Sequence, residues 1–413
     1  MQKFNSYIIG FMKWLLLCII IGVLTGTVAA LFLMSLDYVT QLRETHQWII
    51  YSLPIIGFTI GAIYHYYGGE ANKGNNLLLQ QHHSPQATIP FRMAPLVYIG
   101  TILTHLAGGS AGREGTALQM GGAIADQFTK LFKCNSDERK TMIVVGISAG
   151  FAAVFGTPIA GAIFALEIML FKNNRLASVM PSFAAAYIAH YTCLAIGIHH
   201  TQYTIGLIPV LNASSIISAL IAGLIFGLAA LFFSKLNSIW SLLFNKVSYA
   251  PLRPLIGGIV LIIAISILGT TKHIGLGIPT IIESFSTPVG KYDFFIKILL
   301  TSFTLSAGFK GGEVTPLFFI GATLGNILIW FIPLPMALLA GMGFVAVFAG
   351  ATHCAIASIV LGIELFGLNA GLFIGIASVV SYFTSGTNGI YSAQLKKGAK
   401  FKLYNYLKSL SKL

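Results

Sequence analysis

Apolar runs alternate with short polar or glycine-rich breaks along almost the whole chain. The first run, Tyr7–Leu33, is longer than the roughly 20 residues that one bilayer crossing needs. It reads as a first transmembrane helix and not as a signal peptide, since no small-residue cleavage site stands out. A polar stretch, Asp37–Gln47, leads to a second run, Ile49–Tyr67, and then to Gly68–Pro85, which is polar and contains Lys73-Gly74-Asn75-Asn76. A short span, Ala94–Leu106, enters the stretch Gly108–Gly122, GGSAGREGTALQMGG, which continues as a helix to Phe132. Thr141–Phe155 and Thr157–Phe171 are two pieces broken at Gly156 and Pro158, each shorter than a full crossing. Further runs occupy Pro181–Ile198, Ile205–Phe233 and Leu255–Leu268. Phe294–Ser306 then leads into a second glycine-rich break, Gly308–Pro316, and apolar pieces run on to Tyr382. Ser385–Gly389 opens a last segment beginning at Ile390 and Tyr391.

Many short, broken helices do not make a simple bundle. Irregular backbone at membrane depth is tolerated only where it is buried in protein or lines a cavity, a pattern found in transporters built from internal repeats. A repeat is present. Gly150-Phe-Ala-Ala-Val-Phe-Gly156 recurs as Gly343-Phe-Val-Ala-Val-Phe-Ala349, and each copy leads to a glutamate, Glu167 and Glu364. Ser110-Ala-Gly112 likewise recurs as Ser306-Ala-Gly308, and Gly112–Gly121 can be laid on Gly312–Gly321. The residues alone leave open whether the halves are inverted or parallel.

Composition fixes the class. Of 413 residues, 56% are hydrophobic and 9% charged, against about a quarter charged in a soluble domain. The net charge of +13 sits in short linkers and a tail. Lys130, Lys133, Arg139 and Lys140 form one cluster, Lys172 and Arg175 another, and Lys396, Lys397, Lys400, Lys402, Lys408 and Lys412 a third. That distribution fits cytoplasmic flanks of membrane spans, with both termini inside, and it excludes nucleic acid as a partner, because no basic face is interleaved with exposed aromatics. Cys18, Cys134, Cys193 and Cys354 are scattered, which fits neither a disulfide framework nor a metal cluster. No metal or cofactor is expected.

Four carboxylates fall in apolar segments: Glu114, Glu167, Glu313 and Glu364. An ionisable group at membrane depth costs about 2.5–3.5 kcal/mol on insertion scales and by default marks function. Glu167 and Glu364 occupy equivalent repeat positions, which suits backbone capping of a neighbouring broken helix. Glu114 falls opposite Val314 and Glu313 opposite Arg113, so the two differ in role. The residues after Gly115 open a helix whose first N–H groups lack partners, an anion site with a carboxylate inside it. Ionised, that carboxylate competes with an anion for the N–H groups. Protonated, it leaves the site and carries the proton. The bland reading is a salt bridge to Arg113, disfavoured because helical neighbours do not face each other. His105, His190 and His353 are read chiefly as satisfied core residues.

These motifs resemble those of the CLC family of anion channels and proton-coupled exchangers over nearly the whole chain. Gly112-Arg113-Glu114-Gly115-Thr116 resembles the family's GREGP element, whose glutamate is the gate and proton carrier. Gly312-Glu313-Val314-Thr315-Pro316 resembles GxFxP, and Tyr391, placed at the start of the last long helix, matches a tyrosine that coordinates the central anion. The resemblance implies an all-α polytopic fold of two inverted halves, about 7–200 and 205–410, with short, broken, tilted helices. It also implies a homodimer in the bilayer with a pathway in each subunit. One transmembrane domain, 1–413, is expected, without a cytoplasmic regulatory domain.

The departures point to the ion. The family's serine-bearing GSGIP element is replaced by Asn72–Asn76, while Gly275-Leu-Gly-Ile-Pro279, which looks like it, lies in the second half. Thr116 replaces a proline and Val314 a phenylalanine. Ile168 stands where chloride exchangers carry an internal proton-transfer glutamate. Together these resemble the bacterial fluoride-exporting branch. The expectation is a fluoride/proton antiporter of the inner membrane, with Glu114 as gate. Asn75, Gly112, Arg113, Gly115, Glu313, Val314, Thr315 and Tyr391 are expected along the anion path. The alternatives are a chloride channel or chloride/proton exchanger of the same fold and, more distantly, an intramembrane enzyme using a glutamate–histidine pair.

Overall fold

A computed structural model describes residues 2–169 and 175–410. The expected end of one apolar piece at Phe171, and Lys172 and Lys412 of the basic clusters, lie outside them. The described residues fold almost entirely as helices. The first half holds α1 (Gln2–Thr45), α2 (Leu53–Ile63), α3 (Asn75–His83), α4 (Met93–Leu106), α5 (Glu114–Leu131), α6 (Ser136–Phe155), α7 (Pro158–Ile168) and α8 (Arg175–Ala195). The second holds α9 (Ala213–Phe244), α10 (Leu252–Leu268), α11 (Ile278–Glu283), α12 (Asp293–Ser306), α13 (Val314–Ile327), α14 (Met336–Thr352), α15 (Ala355–Phe366) and α16 (Gly371–Thr384), followed by α17 (Ala399–Leu410). Among the described residues three helical runs, Ile8–Thr45, Gln47–Lys73 and Ala213–Phe244, are long and apolar enough to cross a membrane. The others are shorter or less apolar.

Local chemistry sets the breaks. Asn135 caps α6 by accepting from Asp137 N and Glu138 N, and Glu138 accepts from Asn135 N in return, a capping box. The helix stops at Gly156, which is left-handed at φ 76, and Pro158 opens α7, where a missing N–H costs nothing. In the second half α14 stops at His353, also left-handed at φ 57, and α15 follows from Ala355.

The two halves match element for element. α4 and α12 are numbered two hundred residues apart, as are the starts of α5 and α13. Thr104 and Thr304 each donate to the carbonyl four residues back. The halves meet head-on at one antiparallel bridge, Gly112 N to Gly312 O at 2.6 Å and Gly312 N to Gly112 O at 2.8 Å. Further out, Glu364 accepts from Ile159 N and Ala160 N at the start of α7, and Glu167 accepts from Ile356 N and Ala357 N at the start of α15. Each half thus caps a broken helix of the other. Hydrogen bonds to charged acceptors contribute about 1.5–3 kcal/mol each. Glu364→Ala is therefore expected to lower the thermal midpoint in detergent by several degrees, and Glu167→Ala by a similar amount. Fluorescence-detected melting checks both.

Four expectations are corrected. The polar stretch Asp37–Gln47 does not interrupt the chain, because α1 continues to Thr45. Buried Arg43 repays its place there by donating to His105 O at 2.7 Å. The repeat register is one helical turn off. The α5–α6 crossing brings Gly121 against Gly146, where an added Cβ would lie 2.1 Å from the Gly146 carbonyl oxygen. The α13–α14 crossing does the same with Gly321 and Gly343, so Gly343 pairs with Gly146 and not with Gly150. Two basic residues read as part of a linker and a tail are tied into the packing, Arg139 half-buried near the start of α6 and Lys400 fully buried in α17. Arg139 donates from Nε and Nη2 to the two carboxylate oxygens of Asp126, at 2.8 and 2.9 Å, and Lys400 donates to Ser385 Oγ. Tyr391, finally, opens no helix: α17 begins eight residues later and is only 12 residues long.

Candidate functional site

The site is built on two helix starts that touch. α5 and α13 begin one residue after Arg113 and Glu313, which take the N-cap positions. Glycine is required where they meet. A Cβ on Gly312 would lie 2.6 Å from Gly115 N, and one on Gly112 2.8 Å from Pro316 Cδ. This closeness lets a side chain of one helix reach the first turn of the other.

Glu114 does so. Its Oε2 accepts from Thr315 N at 3.0 Å, and its Oε1 accepts from the Thr315 hydroxyl at 2.5 Å. Oε2 also lies 3.2 Å from its donor Arg113 N, and the side chain is 1% exposed. The first N–H groups of any helix lack intrahelical partners and carry a partial positive charge. The carboxylate therefore occupies, as a tethered anion, a place suited to a free one. Arg113 Nε approaches Glu114 Oε1 at 3.7 Å without a hydrogen bond. The disfavoured neighbour pair does meet, because the N-cap residue lies outside the helix and its side chain is not bound to the helical spacing.

Beside Glu114 lies a cavity of about 140 Å³ lined by Asn75, Gln119, Lys310, Glu313 and Tyr391. Gly115 links the two, since a Cβ there would lie 3.1 Å from Asn75 Nδ2. Asn75 Oδ1 and the Tyr391 hydroxyl are buried without hydrogen-bond partners. Leaving such groups unpaired costs about 1–3 kcal/mol each, so they suit a site that a polar species visits. Lys310 Nζ sits 3.8 Å from the centre of the Tyr64 ring. Asn76 Oδ1 accepts from Ala393 N at 2.9 Å and ties the Tyr391 segment to α3.

All the anticipated site residues converge here. Gly112, Arg113, Glu114, Gly115, Val314 and Thr315 form the helix meeting point, while Asn75, Glu313 and Tyr391 face the cavity. The Val314 side chain is fully buried. Thr116 turns away and bonds Thr101 Oγ1 at 2.7 Å. Gln119 and Asn76 were not anticipated. Gln119 lies between Thr116 and Gly122 in the motif, and its distance from Glu114 along the chain carried no hint that it faces α3. His105, His190 and His353 are not satisfied core residues, since His105 leaves both ring nitrogens, and His190 and His353 one each, buried without a hydrogen-bond partner. The Gly275–Pro279 sequence runs into the start of α11 as Asn72–Asn76 runs into the start of α3, so the two are counterparts in the two halves.

The chain matches the family described as "Voltage gated chloride channel" over residues 56–386. It is 46% identical over 389 residues to the "Chloride/fluoride channel protein" of Pseudomonas syringae pv. tomato, covering 92% of this chain and 86% of that one. A solved CLC-type fluoride/proton antiporter superposes with a TM-score of 0.89 at 35% identity, covering 93% of this chain and 98% of the other. A slow cyanobacterial Cl⁻/H⁺ antiporter shares the fold, with a TM-score of 0.79 at 19% identity over 97% and 98%.

Proposed function

The chain belongs to the voltage gated chloride channel family, and within it we propose a fluoride/proton antiporter that expels fluoride and so confers fluoride resistance. The observation that carries this reading is the Glu114 carboxylate seated on the first turn of α13. Fluoride and that carboxylate compete for the same donors, so the anion enters when Glu114 leaves, and Glu114 leaves by taking up a proton. Fluoride entering a cell as HF is trapped as F⁻, and a proton admitted for each anion expelled drives its export. Fluoride is smaller than chloride and more strongly hydrated. Close donors such as Thr315, the Tyr391 hydroxyl and the Asn75 amide suit it better than a loose cradle.

Similarity to a fluoride/proton antiporter and to a chloride/fluoride channel protein supports the choice of ion. The family resemblance, with exposed Tyr191, Ile356 and Leu372 on α8, α15 and α16, supports a homodimer in the bacterial inner membrane. The lysine-rich tail supports cytoplasmic termini. Liposomes loaded with fluoride or chloride test the function. Fluoride efflux with matched proton uptake, and much slower chloride efflux, is expected. Equal chloride efflux, or fluoride efflux with no proton uptake, overturns the proposal.

A further inference from the structure

Lys297 lies in α12 at the position where the first half has Val97 on the cavity wall. It is 0% exposed, and no carboxylate lies within ion-pair distance among the described residues. Its Nζ donates to His273 O at 3.0 Å and Gly275 O at 2.7 Å, and lies 5.1 Å from the centre of the Phe319 ring. The carbonyls belong to the segment before α11, the counterpart of the segment before α3 that borders the cavity. In the second half, then, the lysine amino group fills the region next to that helix start.

The same segment holds the loop in front of the gate. Gly275 N donates to Gly109 O at 3.1 Å. Ser110 Oγ donates to His273 O at 3.0 Å and lies 2.8 Å from Thr301 Oγ1, one turn beyond Lys297. Gly109 and Ser110 lead directly to Gly112, which is fixed to Gly312, and to Glu114. A buried amino group without a counter-ion is expensive, and valine serves at the matching place in the first half.

We infer that Lys297 is a positioning residue for Glu114: through His273, Gly275 and the Gly109–Ser110 loop it holds α5 so that the carboxylate meets Thr315. This rests on the antiport reading. The test is coupling in liposomes, with fluoride efflux and proton uptake measured together for the full-length protein. A misplacement of about 1 Å can cost a hundredfold in positioned chemistry. For Lys297→Met the fluoride-to-proton ratio is expected to rise about tenfold while fluoride still moves, and Lys297→Arg, which keeps donors, is expected to stay near wild type. Ser110→Ala, which cuts a second tether of the same loop, shifts the ratio in the same direction and serves where Lys297→Met does not fold. An unchanged ratio in Lys297→Met, or in Ser110→Ala if the first variant is lost, overturns the inference, even when total flux falls. Absence of coupled flux in the wild type instead overturns the antiport reading itself.

Discussion

Glu114→Gln is expected to reduce proton uptake driven by a fluoride gradient to the background of protein-free liposomes. The amide keeps the size of the side chain and still accepts from Thr315, so the helix start is preserved. What it loses is the ability to take up and release a proton. It also loses negative charge, and with it the charge-assisted part of the bonds to Thr315 N and Oγ1, which are roughly twice as strong as neutral ones. Glu114→Asp separates the two losses. Aspartate titrates but is one methylene shorter and cannot span the same gap to α13, so coupling should fall without vanishing. Proton transport at the wild-type rate in Glu114→Gln removes Glu114 from the central role. An enzyme using a glutamate–histidine pair predicts the reverse order of sensitivity, with His105 or His353 essential and Glu114→Asp tolerated.

Gly321→Ala is expected to prevent recovery of folded protein. The added Cβ would lie 2.0 Å from the Gly343 carbonyl oxygen and 2.4 Å from its carbon, below any real carbon contact. Those atoms are the backbone of a fully packed helix, not a mobile side-chain end. The crossing of α13 and α14 must open, and with it the stack of Phe318 on Phe344, whose centroids are 4.0 Å apart. Overpacking of a core costs about 1–3 kcal/mol even where side chains can yield, and here they cannot. Gly375→Ala in α16 is the control, because nothing lies within 4 Å of its added Cβ. Size-exclusion profiles in mild detergent should show a single sharp peak for the control and aggregate for Gly321→Ala. A sharp peak for both sinks the packing account.

The glycine breaks were readable in the chain because contact between helix backbones demands glycine, and a lone glutamate in an apolar setting is conspicuous. The capping by Glu167 and Glu364 was readable for the same reason, a charge with nowhere else to go. The register of the repeat was not. In helices of Gly, Ala, Val and Phe a one-turn slip preserves most identities, and the Gly121–Gly146 and Gly321–Gly343 crossings decide it, in agreement with the separation of Glu167 from Glu364. The convergence of Asn75, Gln119 and Tyr391 on one cavity was only partly readable, since it depends on three segments far apart in the chain. Arg139 and Lys400 were misjudged because local composition reports the neighbours along the chain. Their partners, Asp126 and Ser385, are set by packing.

The exchanged helix caps have a consequence for biosynthesis. The first turn of α7 needs Glu364, which lies 205 positions after Ile159. At about 5–20 residues per second of synthesis, the first half waits roughly 10–40 s in the membrane before its cap exists. During that interval Glu167 also has no partner, and both wait for the same short region of nascent chain, α15, to be made and inserted. A chain truncated before α15 should therefore be handled by quality control as unfinished throughout, and not as one sound half.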